Sequence, residues 1–103
     1  MYHFIYATFP SDDEARKIAK HLLEKKLAAC VNFWKMNSMY WWENGIQEDE
    51  EVAMIIKTNA EKFSEVRDEI KRLHSYTTPC ICALQVEEGN LEFLRWIDSI
   101  VGE

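Results

Sequence analysis

The sequence predicts an α+β fold. A single domain over residues 1–103 should run β-α-β-β-α-β, pack two helices on one face of an antiparallel sheet, and add an extra C-terminal helix. Three observations predict it. Four stretches rich in aromatic and β-branched residues alternate with amphipathic stretches of helical period. Asn44-Gly45 lies between two of the apolar stretches and is the strongest short-range signal for a hairpin. A chain of 103 residues suits one domain and can bury a core without staples.

The first strand is Tyr2 to Thr8, with apolar or aromatic residues on both parities, as a central strand covered on both faces requires. Phe9-Pro10-Ser11 turns the chain. Ser11 with Glu14 makes a capping box, and Asp12 and Asp13 place negative charge where the helix dipole favours it. Ala15, Ile18, Ala19, Leu22 and Leu23 fall on one face of a helix that ends near Lys26. Leu27 to Phe33 returns as a strand, and Lys35 to Ser38 weakens the pattern enough to predict a bulge or bend.

The strand resumes to Trp42. A type I′ turn centred on Asn44 and Gly45 is expected, because both residues tolerate φ > 0. The arms, Ala28 to Trp42 and Ile46 to Thr58, greatly exceed the roughly five or six residues of a usual strand. Such a ribbon projects past a small domain, and Trp34, Tyr40, Trp41 and Trp42 on it are expected to pack against another copy of the chain. Thr58 with Glu61 repeats the capping-box pattern, and Phe63, Val66, Ile70 and Leu73 form the stripe of a second helix. Pro79 resets direction before a fourth strand, Cys80 to Val86. Gly89-Asn90 caps a last helix with Leu91, Leu94, Ile97 and Val101 in register.

This order is the ferredoxin-like split βαβ arrangement. A lone copy leaves one face of the sheet in water, yet the strands are apolar on both faces. Open apolar surface of that extent marks an interface, so self-association follows from the pattern.

The net charge of −6 argues against nucleic acid or an anionic membrane as partner, since both call for a basic face. An RNA-binding module of this fold would present aromatics for base stacking, but the chain has no basic stripe beside them. Three cysteines close no disulfide framework, nothing resembles a secretory signal, and no apolar run is long enough to span a membrane. The expected compartment is the cytoplasm. An acylphosphatase-like enzyme would want a phosphate-cradling loop with an arginine after the first strand. Thr8-Phe9-Pro10-Ser11 stands there instead, and no Cys–His or Ser–His–Asp set can be argued from spacing.

Several stretches together resemble the CutA divalent-cation tolerance family. They are Thr8-Phe9-Pro10, Leu27-Ala28-Ala29-Cys30-Val31-Asn32, Tyr40-Trp41-Trp42, Glu51-Val52, Lys57-Thr58 and Leu73-His74-x-Tyr76-x-x-Pro79. The family usually has His-Pro-Tyr where this chain has His74-Ser75-Tyr76, which loosens the turn after the second helix. The resemblance implies a homotrimeric ferredoxin-like protein whose hairpins lock the subunits together. It implies no enzyme activity and no required cofactor. The bound species would be copper or another divalent cation, or a small ligand, in clefts between subunits. The architecture is also similar to the PII signalling proteins, so a signalling or protein-anchoring trimer without direct metal binding stands as the alternative.

The residues that would carry such a role are few. Cys30 sits where the family's recurrent cysteine does and, with His74, is the candidate metal ligand. Cys80 and Cys82 share one face of a strand and could chelate one soft ion, or be small buried hydrophobes. Cys30 lies on the opposite edge strand, so the three do not converge within one subunit. Trp42, Lys57 and Tyr76 are the candidate cleft residues, and His74 could equally cap its helix. Lys57 would neutralise an anionic ligand or pair with Glu48 to Glu51. That acidic run reads as a solvated edge that repels stray strands. His3 reads as an ordinary strand residue and His21 as a helix-surface one.

Overall fold

The computed structural model describes residues 1–102. The chain runs β1 (Tyr2–Phe9), α1 (Asp12–Glu24), β2 (Cys30–Trp42), β3 (Gly45–Asn59), a short 3-10 turn (Ala60–Lys62), α2 (Phe63–Leu73), β4 (Ile81–Val86) and α3 (Leu91–Val101). The sheet is antiparallel with strand order β2-β3-β1-β4, so the expected ferredoxin-like arrangement is found and β1 is central.

Strand parity sorts the sheet into two faces. Ile5, Ala7 and Phe9 of β1 and Val52, Met54 and Ile56 of β3 point towards α1 and α2, where they meet Ile18, Leu22, Val66 and Ile70. This is the core, and burying each such side chain contributes on the order of 1.5–3 kcal/mol. The other face carries Tyr2, Phe4, Tyr6, Ala53, Ile55, Trp34, Cys82 and Leu84. α3 covers only one end of it, through Leu94, Ile97 and Val101 against Tyr2, Phe4 and Val86. Asn59 Nδ2 donates to the Gly102 carbonyl at 2.6 Å, and Tyr2 Oη donates to Asp98, which fixes α3 there. Leu91, expected in the apolar register of α3, is 55% exposed.

α1 begins at Ser11, whose hydroxyl accepts the Glu14 N–H at 3.2 Å. The reciprocal half of the expected capping box is absent: Glu14 Oε2 accepts the Ser75 N–H at 3.1 Å instead. The helix closes with Leu27 N–H on the Leu22 carbonyl and Lys26 N–H on the Leu23 carbonyl. That Schellman pattern puts Lys26 at φ 56, where glycine is usual.

Three further expectations are corrected. No bulge interrupts β2, for Lys35 to Ser38 pair in unbroken register with Val52 to Asp49. Thr58 caps no helix. It lies fully buried in β3, and its Oγ1 donates to the Leu27 carbonyl at 2.8 Å. The hairpin turn is centred on Glu43 (φ 50) and Asn44 (φ 65), one residue earlier than Asn44 and Gly45. Its register is set at the base, where Ala29 N–H donates to the Lys57 carbonyl at 3.0 Å, and holds from Cys30↔Lys57 to Trp42↔Gly45. Against so long a ladder the preference of one turn residue loses, and Gly45 joins the strand.

The ribbon does project. The molecule measures 45 × 26 × 21 Å, and its radius of gyration of 14.2 Å exceeds the roughly 13 Å of a compact chain this long. Trp41 and Ile46 near the tip are 73% and 65% exposed. Among the described residues no helix is long and apolar enough to cross a membrane.

Candidate functional site

A cleft of about 450 Å³ opens between the ribbon and the loop joining α2 to β4. Tyr40, Trp42 and Glu51 form its ribbon side, residues 75–78 its loop side, and Cys80 its end at β4.

His74 holds the loop side in place. Its side chain is fully buried and stacks on Phe9 with ring centroids 4.8 Å apart. Nε2 is 2.7 Å from the Thr8 carbonyl, which can only accept, so Nε2 carries the proton. Nδ1 accepts the Tyr76 N–H at 3.0 Å. Glu14 Oε2 also lies 3.3 Å from Nδ1, but it already accepts the Ser75 N–H, and the Tyr76 amide requires a lone pair on Nδ1. The imidazole thus replaces the rigidity that a proline at 75 would give. Both nitrogens are occupied by backbone.

Tyr76 then reaches across the cleft, its hydroxyl donating to Glu51 Oε2 at 2.8 Å. Burial first, and that carboxylate second, keep its proton well above the ordinary tyrosine pKa. Tyr40 donates to Asp49 at 2.5 Å, and the same bond raises its pKa. Parity explains the selection. Asp49 and Glu51 turn to the cleft side with Tyr40, while Glu48 and Glu50 turn away. The acidic run is therefore not merely a solvated edge; two of its four carboxylates anchor the aromatic wall.

The structure thus brings Trp42, Tyr40 and Tyr76 together in one cleft. Lys57 is not among them. It faces the α3 end of the sheet, its Nζ 5.8 Å from the Phe4 ring and 5.5 Å from that of Phe93, and pairs with no member of the acidic run. Cys30 stands opposite Lys57 on edge strand β2. His74 bonds to β1 at Thr8, four residues beyond Phe4 in the same row as Cys30, or about 13 Å along the strand. Within one chain Cys30 and His74 do not meet. Trp34 and Trp41 lie on opposite faces of the ribbon, both exposed. His21, expected as a surface residue, bridges α1 to α2 through Glu69 at 2.9 Å. Among the described residues no three His, Cys, Asp or Glu gather as a metal-binding cluster. Glu51 and Cys80 also line the cleft; the parity of Glu51 shows once the β2–β3 register is known, while Cys80 stands just before β4, at the end of the loop from α2.

A cleft of linked hydroxyls, a carboxylate and aromatic faces suits recognition of a cationic or hydrogen-bonding species. Comparison with known proteins adds the family. The model of the CutA1 divalent ion tolerance protein family matches residues 3–100. The chain is 61% identical to the divalent-cation tolerance protein CutA of Archaeoglobus fulgidus, over 98% of this chain and 99% of that one. It is 43% identical to the CutA of Thermotoga maritima, over 94% and 96%. Among solved structures, it superimposes on the Archaeoglobus protein with a TM-score of 0.96 at 61% identity, covering 98% and 99% of the two chains. The CutA1 of Thermus thermophilus gives 0.95 at 41% identity, covering 99% and 100%.

Proposed function

Since this chain belongs to the CutA1 divalent ion tolerance protein family, we propose that it serves tolerance of divalent cations, copper in particular, as a homotrimer with its clefts at the subunit boundaries. The observation that carries the reading is the open sheet face beside the projecting ribbon. Trp34 on that face is 46% exposed and Leu84 51%, and three copies arranged around it would bury both. Each cleft would then be closed by a neighbouring subunit.

The role is one of binding, of an ion or a small ligand. Tyr76 and Tyr40 are already tied to Glu51 and Asp49, an arrangement that shapes a recognition surface. We place the protein in the cytoplasm on its three free thiols. The solved Archaeoglobus relative is described as periplasmic, so cell fractionation is the arbiter. The occupied nitrogens of His74, and its separation from Cys30, favour a second reading: a PII-like signalling or anchoring trimer whose clefts take a small ligand without metal.

Native mass spectrometry of the reduced protein, with and without one equivalent of copper per chain, tests the proposal. A trimer is expected. A monomer at micromolar concentration would overturn it, and a trimer that takes up no ion would leave the second reading.

A further inference from the structure

The cleft between the ribbon and the loop after α2 has a definite polarity. Its lining residues include no lysine, arginine or histidine, and Glu51 is the one carboxylate among them. Asp49 stands one step further along the same face, bonded to Tyr40. The strongest donors nearby are already committed. The Tyr76 hydroxyl donates to Glu51 Oε2 and the Tyr40 hydroxyl to Asp49, while the Ser75 and Tyr76 amides donate to Glu14 and the His74 ring. An incoming molecule therefore meets the second oxygen of Glu51, the hydroxyls of Thr77 and Thr78, and the rings of Tyr40, Trp42 and Tyr76. Among the described residues none of these three rings stacks on another of them. Trp42 is 57% exposed, so the space between the rings stays open.

Chemistry separates the ligands such a cleft could take. An anion would find no cationic partner there, in the field of a chain of net charge −6. A metal ion asks for about four or more donors. Glu51 offers one oxygen that Tyr76 has not engaged, and among the described residues no three His, Cys, Asp or Glu gather. A neutral apolar molecule would cover the Glu51 carboxylate without pairing it, which costs free energy. An organic cation answers every feature at once. The ring faces attract its charge, the carboxylate pairs with it, and its apolar tail lies along the same rings.

We infer that the cleft binds a small alkylammonium ion, its charged head beside Glu51 and between the rings of Trp42, Tyr40 and Tyr76. The N–H groups of the head bond to the second Glu51 oxygen and to the Thr77 and Thr78 hydroxyls. A cavity of about 450 Å³ suits a molecule of that size. The inference rests on the reading of the clefts as small-ligand sites and names the class of ligand. One chain supplies every contact to the head, so a neighbouring subunit at the mouth would shut the cleft over its ligand.

The test is titration of the assembled protein with three probes that share one chain: pentylammonium, pentan-1-ol and pentanoate. Binding is followed by two-dimensional NMR, and native mass spectrometry records the assembly. Pentylammonium should saturate at one per chain, shifting the Trp42 indole N–H and the amides of residues 76–78. It should bind about tenfold or more tightly than pentan-1-ol, and pentanoate should not bind there. Added salt should narrow the gap between the ammonium and the alcohol, since it screens the charge. Glu51→Gln keeps an oxygen for the Tyr76 hydroxyl but removes the charge, and should weaken pentylammonium about tenfold while leaving pentan-1-ol unchanged. Equal or tighter binding of the alcohol or of pentanoate overturns the inference, as does a wild type that ignores pentylammonium or binds it elsewhere. These comparisons on wild type decide even if the variant fails to fold. A trimer indifferent to pentylammonium removes only this inference. A monomer that binds it beside Trp42 and Glu51 removes the trimeric reading and keeps the site.

Discussion

His74 and Tyr76 carry the loop side of the cleft by different means, and each makes a separate prediction. Removing the imidazole leaves the Thr8 carbonyl and the Tyr76 amide without partners and opens a void beside Phe9. His74→Ala should therefore cost about 3 kcal/mol, read as a shift in the denaturation midpoint at fixed chain concentration. A loss below about 1 kcal/mol would mean that the loop holds itself. Tyr76 contributes through its proton. Its folded pKa lies above the unfolded value of 10.0, so the folded state binds the proton more tightly. The stabilisation is whole below pH 10 and is lost as pH rises further. Tyr76→Phe should be less stable than wild type by about 1 kcal/mol at neutral pH, allowing for the partial exposure of the bond. The gap should close in denaturation series run above pH 10, and a gap that widens there would refute the assignment.

At the scale of elements, the ladder between β2 and β3 overrides its own turn. Glu43 sits at φ 50, a conformation costly for a side chain other than Asn, Asp or Gly. Glu43→Asn should raise stability by about 0.5–1 kcal/mol, and an unchanged or lower melting temperature would show that Glu43 is held by something else. The two core helices are joined by Glu69 of α2, which meets Lys25 at 2.6 Å, His21 at 2.9 Å and Arg72 at 2.9 Å. Arg72 foremost, then Lys25 and His21, hold its carboxyl well below the usual 4.5. A lowered folded pKa gives stability that is complete above the unfolded value and fades as pH falls. Glu69→Gln should melt earlier than wild type at pH 7, and the difference should shrink in acid below pH 4.5; a constant difference would deny the linkage.

The same scale shows what the sequence can and cannot disclose. Periodicity located every helix and strand, because burial imposes it directly. It misread Thr58 as a cap, since Thr-x-x-Glu looks alike whether a helix starts there or a buried strand ends there. It missed the Glu14–Ser75 and Tyr76–Glu51 bonds, which join residues 61 and 25 positions apart and need the register before they can be seen. Lys57 and Cys30 illustrate the converse. They are correctly placed on strands, but at the far end of the sheet from the cleft, a distance that only the pairing of β1 with β3 reveals.

For the whole molecule, the uneven shape has a consequence in time. β2 and β3 are neighbours in the chain and can zip from Glu43-Asn44 within microseconds. β1 must find β4 across the span from Tyr2 to Val86, a slower search because the loop to be closed is long. The ribbon should therefore exist before the sheet that anchors it, with Trp41 and Ile46 still in water. Pulse-labelled hydrogen exchange during refolding should show amides in residues 30–42 protected ahead of those in 81–86; the reverse order would contradict this. A young chain thus offers its stickiest surface first, and how often it meets a sibling then, rather than how stable it finally becomes, decides between orderly assembly and tangling.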